Sequence, residues 1–146
     1  MITQFKGEYS WLSNFYPIQI VYKGEIYASV EHAYMSAKSD SLHWKRFCQD
    51  PSKSASQVKK ASYNPNLIYI DSWDVVKLEV MEDCLREKFK DAVLLNKLIN
   101  TGDEELSEGN YHNDMFWGFC LKTNFGKNHL GELLMKIRKE AQSQKH

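Results

Sequence analysis

Hydrophobic positions recur along this chain with two different periods. Residues 18–22 (IQIVY) and 25–28 (EIYA) are short β-like runs meeting around Lys23-Gly24, and Gly24 suits the positive-φ position of a tight hairpin turn. From Ser72 to Phe89 the period becomes helical, with Val76, Val80, Met81, Cys84, Leu85 and Lys88-Phe89 spaced by about 3.6 residues. Asp91 to Asn100 continues as a further helix carrying Val93, Leu94, Leu95, Leu98 and Ile99, and Thr101-Gly102-Asp103 stops it, since Gly favours the position just past a helix end. Asn128 to Gln142 forms the last amphipathic helix, with Leu130, Leu133, Leu134 and Ile137 on its apolar face.

Between these segments the signals are shorter. Ser29 precedes VEHAYMSAK, so a helix is expected over 30–38, with Glu31 in its first turn, where the helix dipole favours an ionised carboxylate. LHWKRFCQ, within 40–50, predicts a second short helix that Pro51 ends, and Ser52 to Lys60 predicts another. SYNPNLIYIDSW reads as a loop, residues 104–108 as a short strand or turn, and FWGFCL as a strand in an aromatic-rich region. The tail AQSQKH is expected to fray. Together these elements predict a single compact α+β domain over 1–146, mainly helical with a small antiparallel sheet.

Composition narrows the class of protein. A chain of 146 residues suits one domain. At that size roughly 68–70% of the unfolded surface is buried, so neither a disulfide nor a metal is required for folding. Lys+Arg and Asp+Glu balance at 19 each. That balance argues against a dedicated polynucleotide binder, yet leaves room for a locally basic pocket taking a nucleotide-sized anion. Cys48, Cys84 and Cys120 are odd in number and widely spaced, without a CxxC or Cys/His cluster, so they are expected to be buried, reduced thiols rather than zinc ligands. No signal-peptide pattern opens the chain and no apolar run approaches membrane-spanning length, so a cytoplasmic protein without membrane contact is expected.

Walker A, GxGxxG, HExxH and GxSxG motifs are all missing. Four local settings remain as candidate chemistry. In Ser29-Val30-Glu31-His32, Glu31 is either a helix-start carboxylate or an acid aimed at a developing cation, and His32 is either a hydrogen-bonded core histidine or part of a site. In Asp71-Ser72-Trp73-Asp74-Val75-Val76-Lys77, the bland reading is a helix start with a core Trp73. The functional reading is an indole platform, with Lys77 one turn on directed at phosphate. In Asn113-Asp114-Met115-Phe116-Trp117-Gly118, Asp114 is either a capping acid beside buried rings or an acid–base group. Asn14, in SWLSNFYP, reads a base edge or ribose hydroxyl, or fixes a turn before Pro17.

YSWLSNFYP, GEIYASVEHAYMSAK, SWDVVKLEVM, TGDEEL, DMFWG and GKNHLGELLMKIR, in that order from about Phe5 to Arg138, closely resemble the NADAR domains, also called the YbiA-like family. Each motif alone is weak; six in register are specific. The resemblance implies an N-glycosidase. Family substrates are phosphoribosylamino intermediates of riboflavin synthesis, and ADP-ribose conjugates or NAD-derived compounds. It also implies roles residue by residue: Glu31 as the acid of the SVEH motif, Trp73 and Lys77 as the tryptophan and lysine of the helix-start motif, Asp114 as the acid before FWG, and Asn14 as the asparagine of LSNFYP. One departure is Tyr34-Met35-Ser36, where many members carry an aromatic residue followed by Gln-Ala, so a polar amide is missing at Met35.

Cleaving an N-glycosidic bond builds positive charge on the ribose ring, and by analogy with glycoside hydrolysis two carboxylates divide the work. Glu31 or Asp114 is expected to stabilise that cation and activate water. Trp73 would stack the base or clamp the sugar, Lys77 would hold phosphate, and Trp117 is a candidate second wall. No metal or cofactor is expected, and NAD would enter only as a substrate or ADP-ribosyl source. Partners are expected to be a nucleotide-like small molecule or ADP-ribosylated nucleic acid. The alternative is a non-catalytic module that binds ADP-ribose or a nucleotide; an interaction protein with no ligand is a third reading.

Overall fold

Residues 1–144 are described by the computed structural model. The alternation at 20–27 becomes a hairpin, in which β1 (Ile20–Tyr22) pairs antiparallel with β2 (Glu25–Tyr27) and Val21 faces Ile26. Lys23 and Gly24 have φ of 50° and 80°. Two consecutive positive φ values are those of a two-residue type I′ turn, whose twist matches the strands.

The chain divides into two compact units, one of Asn14–Lys88 and one of Met1–Ser13 with the chain from Phe89 onward. In the first, the hairpin is followed by α1 (Val30–Ser36), α2 (Leu42–Gln49), α3 (Ala55–Ala61) and α4 (Trp73–Lys88). Helix α1 packs against α2, α3, α4 and the hairpin, and all seven of its residues are buried, Glu31, His32 and Ser36 among them. A buried helix is ordinarily apolar all round, and polar groups inside one require partners. Local capping sets the ends of these short helices. Ser29 Oγ accepts from His32 N at 3.2 Å, Ser41 Oγ from Trp44 N at 3.3 Å, and Ser54 and Gln57 satisfy one another in a reciprocal capping box. Helix α1 ends two residues earlier than expected. Ala37 and Lys38 donate back to the carbonyls of Tyr34 and Met35, a tightened last turn after which Lys38 leaves the helix.

In the second unit, α5 (Ala92–Asn100) packs against α6 (His129–Ser143) around Leu94, Leu98, Leu130, Leu134 and Ile137. Asp91 Oδ1 caps α5 by accepting from Leu94 N at 2.9 Å. The expected small antiparallel sheet is present as the hairpin, but the strand within FWGFCL belongs to a parallel pair: β3 (Gly109–Asn110) runs alongside β4 (Phe119–Cys120). Ile2 bridges Leu106, also in parallel. Gly131, in α6, sits so close to this segment that a Cβ would lie 2.2 Å from the Leu106 carbonyl oxygen. The tail is more regular than expected, because α6 continues through Ser143; the final two residues of AQSQKH lie outside the described residues. Among the described residues, no helix is long and apolar enough to cross a membrane, and no cluster of His, Cys, Asp or Glu could hold a metal ion. Cys48, Cys84 and Cys120 are buried and free.

Candidate active site

Glu31 stands second in α1, and only 5% of its surface is exposed. Its backbone N–H donates to the Asn14 carbonyl at 3.1 Å, so the LSNFYP segment is tied to the start of the helix. The Asn14 side chain turns its amide nitrogen to Met81 Sδ at 3.5 Å, which fixes the other atom as an acceptor. That atom, Oδ1, is buried and has no hydrogen-bond partner. An orphaned buried acceptor costs roughly 1–3 kcal/mol, so this atom calls for a donor from water, an ion or a ligand.

His32 follows Glu31, and both of its ring nitrogens are engaged. Nε2 is 2.7 Å from the Lys53 carbonyl, to which it must donate, and Nδ1 is 2.7 Å from Ser29 Oγ. The ring therefore pins the Lys53 loop to the start of α1 and has no nitrogen left over for a substrate in this arrangement.

Two turns after Glu31 comes Lys38, 8% exposed, with its ammonium 5.8 Å from the centroid of the Tyr34 ring and 5.3 Å from that of Tyr69. Burial holds this amine below the usual lysine range. The negative charge of Glu31 works in the opposite direction, and the positive charges of Lys59 and Lys77 reinforce the lowering. One carboxylate and three amines thus share an electrostatic neighbourhood inside this unit. Lys59 lies over the Phe15 ring at 5.8 Å, and Lys77 pairs with the exposed Asp74 at 3.2 Å. Trp73 is 6% exposed and tilted against Tyr34, with ring centroids 5.1 Å apart, so most of its indole is already covered. Met35, where the family amide is missing, is buried, and its carbonyl accepts from Trp44 Nε1 at 2.9 Å.

Asp114 and Trp117 belong to the other unit. Asp114 Oδ1 accepts from the backbone N–H of Phe116 at 3.3 Å and of Trp117 at 3.1 Å, while buried Asn110 clamps the Asp114 backbone from both its amide atoms. The loop carbonyls of Phe116 and Trp117 then accept from His129 and Leu130 at the start of α6. Phe116, Trp117 and His129 form an aromatic cluster with Phe116 centroids 4.8 Å from Trp117 and 4.6 Å from His129. Asp114 organises this loop through one of its oxygens.

Of the candidates read from sequence, Asn14, Glu31, His32, Trp73 and Lys77 therefore lie in one unit and Asp114 and Trp117 in the other. Lys38, Lys59 and Tyr69 were not singled out. The only sequence signal for Lys38 was its place seven residues after Glu31, two helical turns on, at the end of the SVEH stretch.

The NADAR domain model matches residues 3–142. An N-glycosidase of Nostoc punctiforme is 32% identical over 139 residues, covering 90% of this chain and 85% of that protein. The N-glycosidase YbiA of Shigella boydii is 30% identical over 134 residues, covering 91% and 82%. A riboflavin biosynthesis protein of Vibrio vulnificus is 34% identical over 135 residues; the match takes in 92% of this chain but spans only 36% of that protein's length. The solution structure of YbiA from E. coli superposes with a TM-score of 0.85 at 26% identity, over 99% of this chain and 89% of that one, so the two share a mixed fold of helices with small sheets. The chain belongs to the NADAR domain family.

Proposed function

We propose that this protein is an N-glycosidase that hydrolyses the bond between the anomeric carbon of a phosphorylated ribosyl group and a nitrogen. The observation that carries the reading is the buried Glu31 carboxylate, which shares an electrostatic neighbourhood with Lys38, Lys59 and Lys77 and whose backbone N–H is bonded to Asn14, the residue with the unpartnered Oδ1. Burying a carboxylate and an amine together, with two half-buried amines near them, serves no structural purpose that apolar residues would not serve better. It suits a substrate with an anionic end and a reaction that develops positive charge at its centre.

In this scheme Lys59 and Lys77 hold the phosphate. The exposed ion pair of Lys77 with Asp74 is worth little and is readily exchanged for a phosphate oxygen. Asn14 Oδ1 accepts from a ribose hydroxyl. As the C–N bond breaks, its electron pair leaves with the nitrogen, and the ribosyl carbon becomes cationic; the Glu31 carboxylate stabilises that charge. Lys38, which burial disposes to release its proton, protonates the departing nitrogen. Water adds to the ribosyl carbon and passes a proton to Glu31, and exchange with solvent restores both groups. Tyr34, backed by Trp73, forms the wall beside Lys38. Of the two acids, Glu31 is assigned the chemistry and Asp114 the holding of the loop that carries Trp117.

One relative is named a riboflavin biosynthesis protein and another an N-glycosidase, and the family resemblance offers two substrate classes, the ribosylamino-pyrimidine phosphates of riboflavin synthesis and ADP-ribosylated guanine in nucleic acid. The test is to incubate the protein with each and follow free base and sugar phosphate by mass spectrometry. Release from either supports the enzyme, and the faster substrate names its class. No release from either, with ADP-ribose still bound tightly, replaces the enzyme with a binding module.

A further inference from the structure

Lys38 has lost the helix that carried it, because α1 ends at Ser36, yet its side chain is buried. A long lysine side chain beyond a helix end loses considerable rotamer freedom when fixed, so something else must hold it. Three contacts come from the stretch between α3 and α4. The Tyr69 ring faces the Lys38 ammonium at 5.3 Å, the Tyr69 hydroxyl donates to the Ser62 carbonyl at 2.7 Å, and Ile70 N donates to the Lys38 carbonyl at 2.8 Å. The same stretch is fastened at its far end, where Trp73 N donates to the Ile70 carbonyl at 3.1 Å. Tyr69 is thus bonded to the end of α3, packed on the lysine, and followed directly by a backbone bond to that lysine.

We propose that Tyr69-Ile70 is a strap that fixes Lys38 beside Glu31 and shields it from water, making Tyr69 a positioning residue for the reaction. Its catalytic meaning rests on the N-glycosidase reading; its structural meaning does not. The charged and titratable groups acting on Lys38 come from every helix around it: Glu31 from α1, Cys48 from α2, Lys59 from α3 and Lys77 from α4. Glu31 and Cys48 favour the ammonium, and the two lysines disfavour it. None of these belongs to the strap, and their effects are smaller than that of burial. Tyr69 acts on the lysine in two opposed ways, since its ring face attracts the cation while its bulk excludes water. We take exclusion to outweigh attraction, since Tyr69 packs over an amine on which burial is the largest influence.

The experiment reads Lys38 directly. Wild type, Tyr69→Phe and Tyr69→Leu are treated across a pH series with a small amine-selective reagent, and labelling of the Lys38 peptide is quantified by mass spectrometry. Opening the strap in Tyr69→Leu should move the labelling midpoint of Lys38 upward by about one pH unit, which is about a tenfold fall in labelling at a fixed pH below the midpoint. Tyr69→Phe, keeping the ring but losing the anchor to Ser62, should fall between. In parallel, the limb of the kcat profile that reports Lys38 should move by the same amount, with KM little changed. A midpoint identical in wild type and a folded Tyr69→Leu variant overturns the strap even if the enzyme is active. A shifted midpoint in a protein that releases no base leaves the strap standing and overturns the glycosidase reading.

Discussion

Lys88 offers a quantitative test of how this fold treats charge. It is the last residue of α4, its side chain is fully buried, and its ammonium lies 5.6 Å from the centroid of the Tyr16 ring. Burial brings its pKa from 10.5 down to about 7. In the unfolded chain the amine titrates at its ordinary value. Below pH 7 both states therefore hold the proton, and the folded state keeps the cation in its buried site. Between pH 7 and 10.5 the folded state has released a proton that the unfolded state keeps, so stability rises with pH across that window. At about 1.36 kcal/mol per pKa unit, the lowering corresponds to a ceiling of about 5 kcal/mol. Attraction to the Tyr16 face offsets about 1–2 kcal/mol of this. Lys88→Met keeps much of the side-chain length and removes the charge. The stability of the variant relative to wild type should rise by about 2–4 kcal/mol as the pH falls from the ordinary lysine range to about 7, and should level off below that. Urea denaturation of both proteins at several values between about pH 6 and 9 measures this, since other titrating groups cancel in the difference. Parallel stability curves, or a difference that moves in the wild type's favour as the pH falls, would refute the reasoning.

Two further substitutions test the frame around the site. Ser29→Ala removes the cap of α1 and the partner of His32 Nδ1 together, so it should lower the urea midpoint by the equivalent of about 1–3 kcal/mol. Gly131→Ala places a methyl against the Leu106 carbonyl and the Asn128 amide, where atoms would lie at 2.2 to 2.6 Å, and should cost about 1–3 kcal/mol or prevent soluble expression; a wild-type midpoint would show that α6 can shift at no cost.

What sequence could convey here was local. Ser29 and Asp91 announced helix starts because capping involves residues only three apart, whereas α3 was expected from Ser52 and begins after its true cap, Ser54; Lys23-Gly24 announced a hairpin because its turn type demands positive φ. The long helix α4 was legible from its periodic apolar positions, whereas the exact end of α1 was not, because polar and apolar residues alike are buried there and no stripe marks where the helix stops. The parallel pairing of β3 with β4 was missed because two-residue strands carry almost no alternation, and their placement depends on contacts with Ile2, Thr3 and Asn128, distant in the chain. Within the candidate site, Glu31, Asn14, Trp73 and Lys77 were visible through motifs. Lys38 was visible only as the end of one. Its significance comes from Tyr69, 31 positions on, and from burial, neither of which a sequence pattern encodes. Asp114 shows the converse: an acid among aromatics draws attention in sequence, and the structure occupies one of its oxygens with two backbone N–H groups.

The central claim is that the Glu31 carboxylate does chemistry, and Glu31→Gln tests it most directly, because it keeps the shape and removes the charge. Turnover of whichever ribosyl substrate the wild type cleaves should fall by about 10²–10⁴-fold, with an unchanged circular dichroism spectrum and little change in KM. A folded Glu31→Gln protein that releases base at the wild-type rate would contradict the account.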